Sequence, residues 1–294
     1  MRVVIISIIF ILHFFPVQSQ EKSVSRYADS ISNTIYPDFV IPYKTVDSKE
    51  LRLHVLMPPN AKPGLKPCFI GFHGGGWTWG SPVMLYSIVR EICLKTGMIG
   101  ILPEYRLIKK GDDQTTLADC VDDMQSAMQF IADYANKLNI DKNNVILSGA
   151  SAGGLLALGS VLFDHLDAGA DKTNQPIHPK ALVLYYPVVN TSIRGYGYEK
   201  IGEEKWRKFS PYHHIHKKMP PVLIFHGKKD EVVPFKNIVD FKRRMRLYKN
   251  SCQLIVDENG GHGYFLYNQK EFDQVIDQTV HFIQSKMPLV DKTL

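Results

Sequence analysis

The stretch V-I-L-S-G-A-S-A-G-G-L-L-A-L, running from Val145 to Leu158, decides how this chain is read. A β-like apolar run enters it, a helix-forming Leu/Ala run leaves it, and Ser151 stands between small residues. Gly149-Ala150-Ser151-Ala152-Gly153 has the spacing G-x-S-x-G. Where a chain reverses from strand to helix within a few residues, the central residue is forced into strained backbone geometry. Positions two away then come too close for side chains, so glycine stands there. The small residues are what it takes to present one hydroxyl at a helix N-terminus. Chance produces this spacing in roughly one chain of this length in ten, so the strand before it and the helix after it carry the weight.

A serine hydroxyl is a poor nucleophile until a base takes its proton, and that base needs an orienting carboxylate. On a strand-to-helix turn of this type the order along the chain is serine, acid, histidine, with the last two after later strands. Both slots are filled. After V-L-I-F comes H-G-K-K-D-E-V-V-P, which puts Asp230 just beyond a strand. After Q-L-I-V comes D-E-N-G-G-H-G-Y, which puts His262 in a glycine-rich loop beyond the last strand. Glu231, Asp257 and Glu258 are rival carboxylates; Asp230 is favoured because its D-x-V-P run turns directly into the next helix. The third requirement is a set of N–H groups for the charge that develops on an attacked carbonyl. F-H-G-G-G-W, right after the Cys68–Phe72 strand, supplies Gly75 and Gly76, and the residue after the nucleophile, Ala152, supplies a third. Trp77 is expected at the substrate.

Outward from that centre the pattern alternates strands and helices. Tyr43–Val46 and Leu51–Met57 form an antiparallel opening pair. Further strands are expected at Cys68–Phe72, Met98–Pro103, Asn144–Leu147, Ala181–Tyr186, Pro221–Phe225 and Cys252–Val256. Helices are expected at Tyr86–Thr96, at about Thr116–Leu138, from Ala152 to about Leu166, at Phe235–Tyr248 and at Glu271–Ser285. This rhythm implies an α/β fold, a mostly parallel eight-stranded sheet with helices on both faces. Such sheets bind ligands beyond the carboxyl ends of their strands. Two segments break the rhythm: Gln20–Pro42, read as an N-terminal arm, and Val188–Met219, a long aromatic-rich excursion read as a small lid insertion.

The chain has 294 residues, 45% hydrophobic and 22% charged, enough for a substantial core. Its formal charge of +6 is scattered, with no basic stripe interleaved with aromatics, so nucleic acid is not an expected partner. Arg2, the apolar run Val3–Phe15, Pro16 and Ser19 read as a signal peptide over residues 1–19, cut near Ser19. The run is short for a membrane span, which needs about 20 apolar residues, and an uncleaved anchor is the alternative. Export makes the protein secreted or periplasmic, with no membrane span once the leader is removed. It places Cys68, Cys93, Cys120 and Cys252 in an oxidising compartment, where three full pairings or free buried thiols are open. His213-His214-Ile215-His216 lacks defined partner ligands, so no metal is expected, and triad chemistry needs no cofactor. Asp119, Asp122 and Asp123 are read as a solvated helix face or as ion-pair partners of Arg106.

Together H-G-G-G-W, E-Y-R-L, G-A-S-A-G-G, H-G-K-K-D-E-V-V-P and G-G-H-G-Y resemble the α/β-hydrolase superfamily. The nearest branch is the hormone-sensitive-lipase-like acetyl esterases and carboxylesterases. The resemblance covers about Tyr43 to Ser285, with the motifs in the family's order. It implies Ser151 as nucleophile, His262 as general base and then acid, Asp230 as orienting acid, and the oxyanion donors named above. Two departures stand out: Glu104-Tyr105-Arg106-Leu107 replaces the common Asp-Tyr-Arg-Leu, and the N-terminal helical cap is reduced to a short arm. The expectation is a serine carboxylesterase acting on short-chain acyl esters, including carbohydrate acetyl esters, with domain bounds 20–294 and the insertion at 188–219. A peptidase of the same fold and a catalytically silent binding protein are the rivals. Sequence leaves the oligomeric state open.

Overall fold

Period-two burial along the strands builds the sheet. In the strand Lys66–Phe72, Cys68, Ile70 and Phe72 enter one apolar cluster and Phe69 the other. In Val222–Gly227, Val222 and Ile224 face the first cluster, Leu223 and Phe225 the second. Strands buried on both faces in this way need helices on both sides. The computed structural model describes residues 26–287 apart from 60, 62, 110, 112–113 and 164–176. The leader read at residues 1–19 lies outside the described residues.

The strands are β1 Phe39–Val46, β2 Lys49–Leu56, β3 Lys66–Phe72, β4 Ile99–Pro103, β5 Ile140–Ala150, β6 Ala181–Tyr185, β7 Val222–Gly227 and β8 Cys252–Asp257. The helices are α1 Tyr27–Ser32, α2 Tyr86–Thr96, α3 Leu117–Tyr134, α4 Ala152–Leu162, α5 Tyr198–Ile201, α6 Pro211–His214, α7 Phe235–Leu247 and α8 Gln269–Lys286. The eight strands lie in the order β1-β2-β4-β3-β5-β6-β7-β8. β1–β2 and β2–β4 pair antiparallel, and every later pair is parallel. Residues of α3, α4 and α7 fill one cluster, and residues of α1, α2 and α8 fill the other.

The order sets where a ligand can sit. From β3 the chain crosses outward to β4, then returns past β3 to β5, so the connections leaving β3 and β5 diverge. That divergence opens a crevice at the carboxyl ends of the two strands. The loop H-G-G-G-W leaves β3 there, and Ser151 leaves β5 beside it.

Several bounds differ from the sequence reading. Part of the expected arm is regular: α1 is helical, and β1 begins at Phe39 because its residues pair with β2 from Phe39↔Val55 onward. α3 starts where expected, with Thr116 and Asp119 capping each other, but stops at Tyr134. The expected end of α4 near Leu166 falls outside the described residues. The four cysteines are free; Cys68, Cys93 and Cys120 are buried. Burial pushes the Cys93 and Cys252 thiols up to about 12, which keeps them protonated and unreactive. Among the described residues, no helix is long and apolar enough to cross a membrane.

Candidate active site

Ser151 sits between β5 and α4 at φ 52° and ψ −118°, a region that side-chain-bearing residues rarely occupy. The flanking glycines make the turn possible. A Cβ on Gly149 would lie 2.2 Å from the Gly153 carbonyl oxygen, and one on Gly153 would lie 2.1 Å from that of Phe72. The turn is held by Ser151 N–H donating to Tyr185 O at 2.9 Å and by Val188 N–H donating to Ser151 O at 2.9 Å.

The loops after β7 and β8 are fastened to each other by their backbones. Lys228 N–H donates to Asp257 O at 2.8 Å and Lys229 N–H to Gly260 O at 2.9 Å. Gly227 permits the approach, since a Cβ there would lie 2.2 Å from Gly260 O. This fastening brings Asp230 and His262 together across 32 residues of sequence. His262 Nδ1–H donates to Asp230 Oδ2 at 2.8 Å, and its Nε2 lies 2.9 Å from Ser151 Oγ. Because a carboxylate oxygen can only accept, the imidazole proton sits on Nδ1, and the bare Nε2 lone pair faces the serine hydroxyl. Tyr186 stands edge-on to the His262 ring, centroids 4.6 Å apart.

Asp230 is buried, and its other oxygen, Oδ1, accepts N–H groups of Val232 at 2.9 Å and Val233 at 2.8 Å. Burial works to raise its pKa. The hydrogen bond and charge of His262, with the Val233 N–H, outweigh that and hold the carboxyl below its ordinary value. The rival acids are engaged elsewhere. Glu258 pairs with Lys228 at 2.6 Å, Asp257 Oδ1 accepts from Asn259 N–H at 2.9 Å, and Glu231 is exposed.

The H-G-G-G-W loop runs along the other side of Ser151. Gly75 and Gly76 adopt φ 103° and 61°. A Cβ on Gly75 would lie 1.9 Å from Trp79 O, and one on Gly76 would lie 2.4 Å from the Tyr196 hydroxyl. Their carbonyls are used: Gly75 O accepts from Thr78 and Trp79, and Gly76 O from Lys200 Nζ at 3.3 Å. Their N–H groups have no partner among the described residues. Ala152 opens α4, where helix N–H groups lack an internal acceptor.

Trp77 corrects an expectation. Its side chain is fully buried and its indole N–H donates to Ala152 O at 3.1 Å. The ring therefore joins the β3 loop to the start of α4 and is closed off from a ligand. The reason lies in the φ of 63° at Trp77, which turns the side chain inward, under Tyr196 and Gly197. Tyr105 of E-Y-R-L stacks on His73 at 4.2 Å and donates to His73 O at 2.9 Å. Burial lowers the His73 pKa to about 4, so this support is uncharged near neutrality.

The Val188–Met219 excursion carries α5 and α6. Within it Tyr212 N–H donates to Val189 O at 2.8 Å and Thr191 Oγ1 to Trp206 O at 2.6 Å, and Phe209 packs edge-on to Phe163 of the body. Sequence reasoning missed that Tyr196 and Lys200 of this segment lie on Gly76. It also missed His226, four residues before Asp230 and 3.3 Å from its Oδ2. A histidine next to the end of a strand that feeds the acid loop was the available signal. His213 Nδ1 meets Ser210 Oγ, His214 Nε2 meets Arg207 O and His216 Nδ1 meets Lys217 O. No group of three His, Cys, Asp or Glu side chains suited to a metal lies together among the described residues.

Comparison with known proteins gives a family match and many similar proteins, among them the three that follow. A family model described as BD-FAE matches residues 53–245. Esterase 2 of Thermogutta terrifontis, solved after phosphorylation by paraoxon, superposes with a TM-score of 0.77 at 31% identity, covering 86% of this chain and 96% of that one. An AB hydrolase superfamily protein of Schizosaccharomyces pombe is 28% identical over 50% of this chain and 42% of its own. An acetylxylan esterase of Xylanibacter ruminicola is 25% identical over 74% of this chain and 45% of its own. The match thus spans less than half the length of either curated relative.

Proposed function

The chain belongs to the BD-FAE family of α/β-hydrolases, and from that premise we propose that it is a serine carboxylesterase working through Ser151, His262 and Asp230. The observation that carries the reading is the single hydrogen-bonded row Ser151 Oγ–His262–Asp230, with spacings of 2.9 and 2.8 Å. His262 Nε2 takes the hydroxyl proton as Oγ attacks an ester carbonyl. The imidazolium that forms is steadied by Asp230 through Nδ1–H. The oxyanion of the tetrahedral intermediate is received by the N–H groups of Gly75, Gly76 and Ala152, each typically worth about 3 kcal/mol in the transition state. Collapse breaks the C–O bond, His262 returns its proton to the leaving alcohol, and a water activated by the same imidazole releases the acid.

The substrates we propose are short acyl esters, carbohydrate acetyl groups among them. The support is chemical and comparative: Tyr196 and Lys200 fill the space beside Gly76, and one relative is an acetylxylan esterase. Export through the 1–19 leader belongs to the same proposal; mass spectrometry of the mature N-terminus checks it, a chain still starting at Met1 counting against it.

Replacing Ser151 by alanine tests the catalytic core. Ser151→Ala should lose at least about a thousandfold in kcat on p-nitrophenyl acetate and should no longer be labelled by a fluorophosphonate probe. Unchanged turnover by a folded Ser151→Ala protein rejects the assignment. Acetylated xylan offered beside p-nitrophenyl acetate and longer acyl esters then ranks the substrates.

A further inference from the structure

His226 is the penultimate residue of β7, on the same face as Val222 and Ile224 and fully buried. Its ring lies against Phe235 of α7, centroids 6.1 Å apart. Its Nε2 is 3.0 Å from Val233 O and 3.3 Å from Asp230 Oδ2. Val233 O can only accept, so Nε2 carries the proton and donates it there, while Asp230 Oδ2 lies beside the same N–H without a hydrogen bond. Nδ1 is also buried and has no hydrogen-bond partner. Adding a second proton there would create a buried N–H with nowhere to donate, on a ring already out of water. That geometry opposes the charged form, and burial lowers the ring's basicity in the same direction, against the pull of Asp230 and Val233 O.

The titratable groups facing this ring are Asp230, from the loop after β7, and His262, from the loop after β8. Asp230 Oδ2 therefore lies beside two imidazoles of opposite character, accepting a hydrogen bond from His262 and facing the N–H of His226 at 3.3 Å. His262 cycles between neutral and charged during the proposed reaction, whereas His226 is held neutral. A permanent cation at 226 would neutralise Asp230 and leave it nothing with which to steady the imidazolium. A purely apolar residue would leave Val233 O without this donor and would remove the N–H dipole that lies 3.3 Å from Oδ2.

We propose that His226 is a positioning residue for the triad: an uncharged ring whose N–H fastens the Asp230 loop through Val233 O and faces the carboxylate, while leaving the negative charge for His262. The inference rests on the triad reading above. Loss of the N–H dipole beside Oδ2 leaves the carboxylate to interact more strongly with His262, which favours the protonated base. It also releases the Val233 carbonyl that ties the loop to the strand.

The experiment compares wild type, His226→Leu and His226→Gln, in which the glutamine amide can replace the Nε2–H donor. In His226→Leu, kcat should fall about tenfold, a fraction of what general acid–base catalysis is worth. The acid limb of kcat/KM should move to higher pH by about half a unit, and His226→Gln should restore both. A merely structural role would leave the limb in place. A folded His226→Leu whose limb is unmoved or moves down overturns the proposal, as does failure of His226→Gln to restore it. Imidazole nitrogen NMR of the wild-type protein covers the case in which the leucine variant does not fold. His226 should stay neutral with its proton on Nε2 while His262 titrates; a His226 that gains charge together with His262, or carries its proton on Nδ1, overturns the inference. Fluorophosphonate labelling of the same wild-type sample separates the two levels: an unlabelled Ser151 defeats the triad, whereas a labelled Ser151 with an unmoved limb defeats only the role of His226.

Discussion

Asp123 and Asp230 are both aspartates with fully buried side chains, yet their surroundings differ in kind. Asp123 is surrounded by permanent charge. Lys44 Nζ lies 2.6 Å from its Oδ1, and Arg106 gives it Nε at 2.8 Å, Nη2 at 2.8 Å and a backbone N–H at 2.9 Å. Asp230 receives backbone dipoles, lies beside a neutral imidazole and accepts from a second imidazole that the proposed reaction would charge in passing. A carboxylate whose counter-charge is permanent has nothing left to offer a reaction. It binds elements together, here β1 through Lys44, the exit of β4 through Arg106, and α3. A carboxylate surrounded by dipoles keeps a demand for positive charge that a transient imidazolium can meet.

The largest expected effect separates them on activity. Asp230→Asn should cut kcat on p-nitrophenyl acetate by about 10³- to 10⁴-fold, since the amide no longer selects the Nδ1–H tautomer or steadies the imidazolium. Its thermal midpoint should move little by comparison. A kcat within tenfold of wild type would place the functional carboxylate elsewhere, with Asp257 and Glu258 next in line.

The next effect falls on stability. Asp123→Ala leaves two buried or half-buried cations short of their partner. It should cost about 3 kcal/mol, the lower end of the range for a broken buried pair, because Lys44 and Arg106 keep some contact with water and with Asp122 and Asp119. Denaturant titration measures that loss. The kcat of the molecules that remain folded should stay near wild type, as Asp123 touches neither Ser151 nor His262. If both fall together by similar factors, the division between fixed and transient counter-charge fails, and Tyr105, carried beside Arg106 and bonded to His73 O, is the route of the failure.

The two aspartates also mark what a sequence can and cannot disclose. The pairing of Asp230 with His262 was legible because the acid's place follows from chain order: it comes directly after a strand, in the slot where a serine, acid and histidine row would need its carboxylate. The parallel sheet was legible from runs such as C-F-I-G-F and V-L-I-F, whose unbroken apolarity demands cover on both faces. Arg106 was paired with the α3 aspartates as one of two readings, because helical spacing puts Asp119, Asp122 and Asp123 near one another whatever they face. Lys44 was invisible in that cluster, since nothing local links β1 to α3. Trp77 was misread for a related reason: a tryptophan beside a glycine loop looks like a ligand contact until the backbone twist that turns it inward is known. Lys200 meets Gly76 through a contact made across the fold, and such a contact leaves no periodicity in the chain.

The smallest effect concerns acid. Asp230 and Asp119 are both held below the ordinary carboxylate range, the first chiefly by His262 and the second by Thr116 and Arg106, in each case against burial. Each therefore binds a proton more weakly in the folded chain than in the unfolded one. The stability this supplies is complete above the ordinary aspartate value and is lost as pH falls through the lower folded value. Asp119→Asn and Asp230→Asn should each flatten the fall in stability on the acid side by no more than one proton, about 1.4 kcal/mol per pH unit. Imidazoles as a class take up protons well above carboxylates, so activity, which needs a neutral base, should vanish on acidification before the fold does. Paired measurement of kcat/KM and denaturant midpoint against pH checks the order of events. Stability that falls in step with activity would mean that the proton silencing the base also unfastens the scaffold, and the two carboxylate environments would then be one coupled unit.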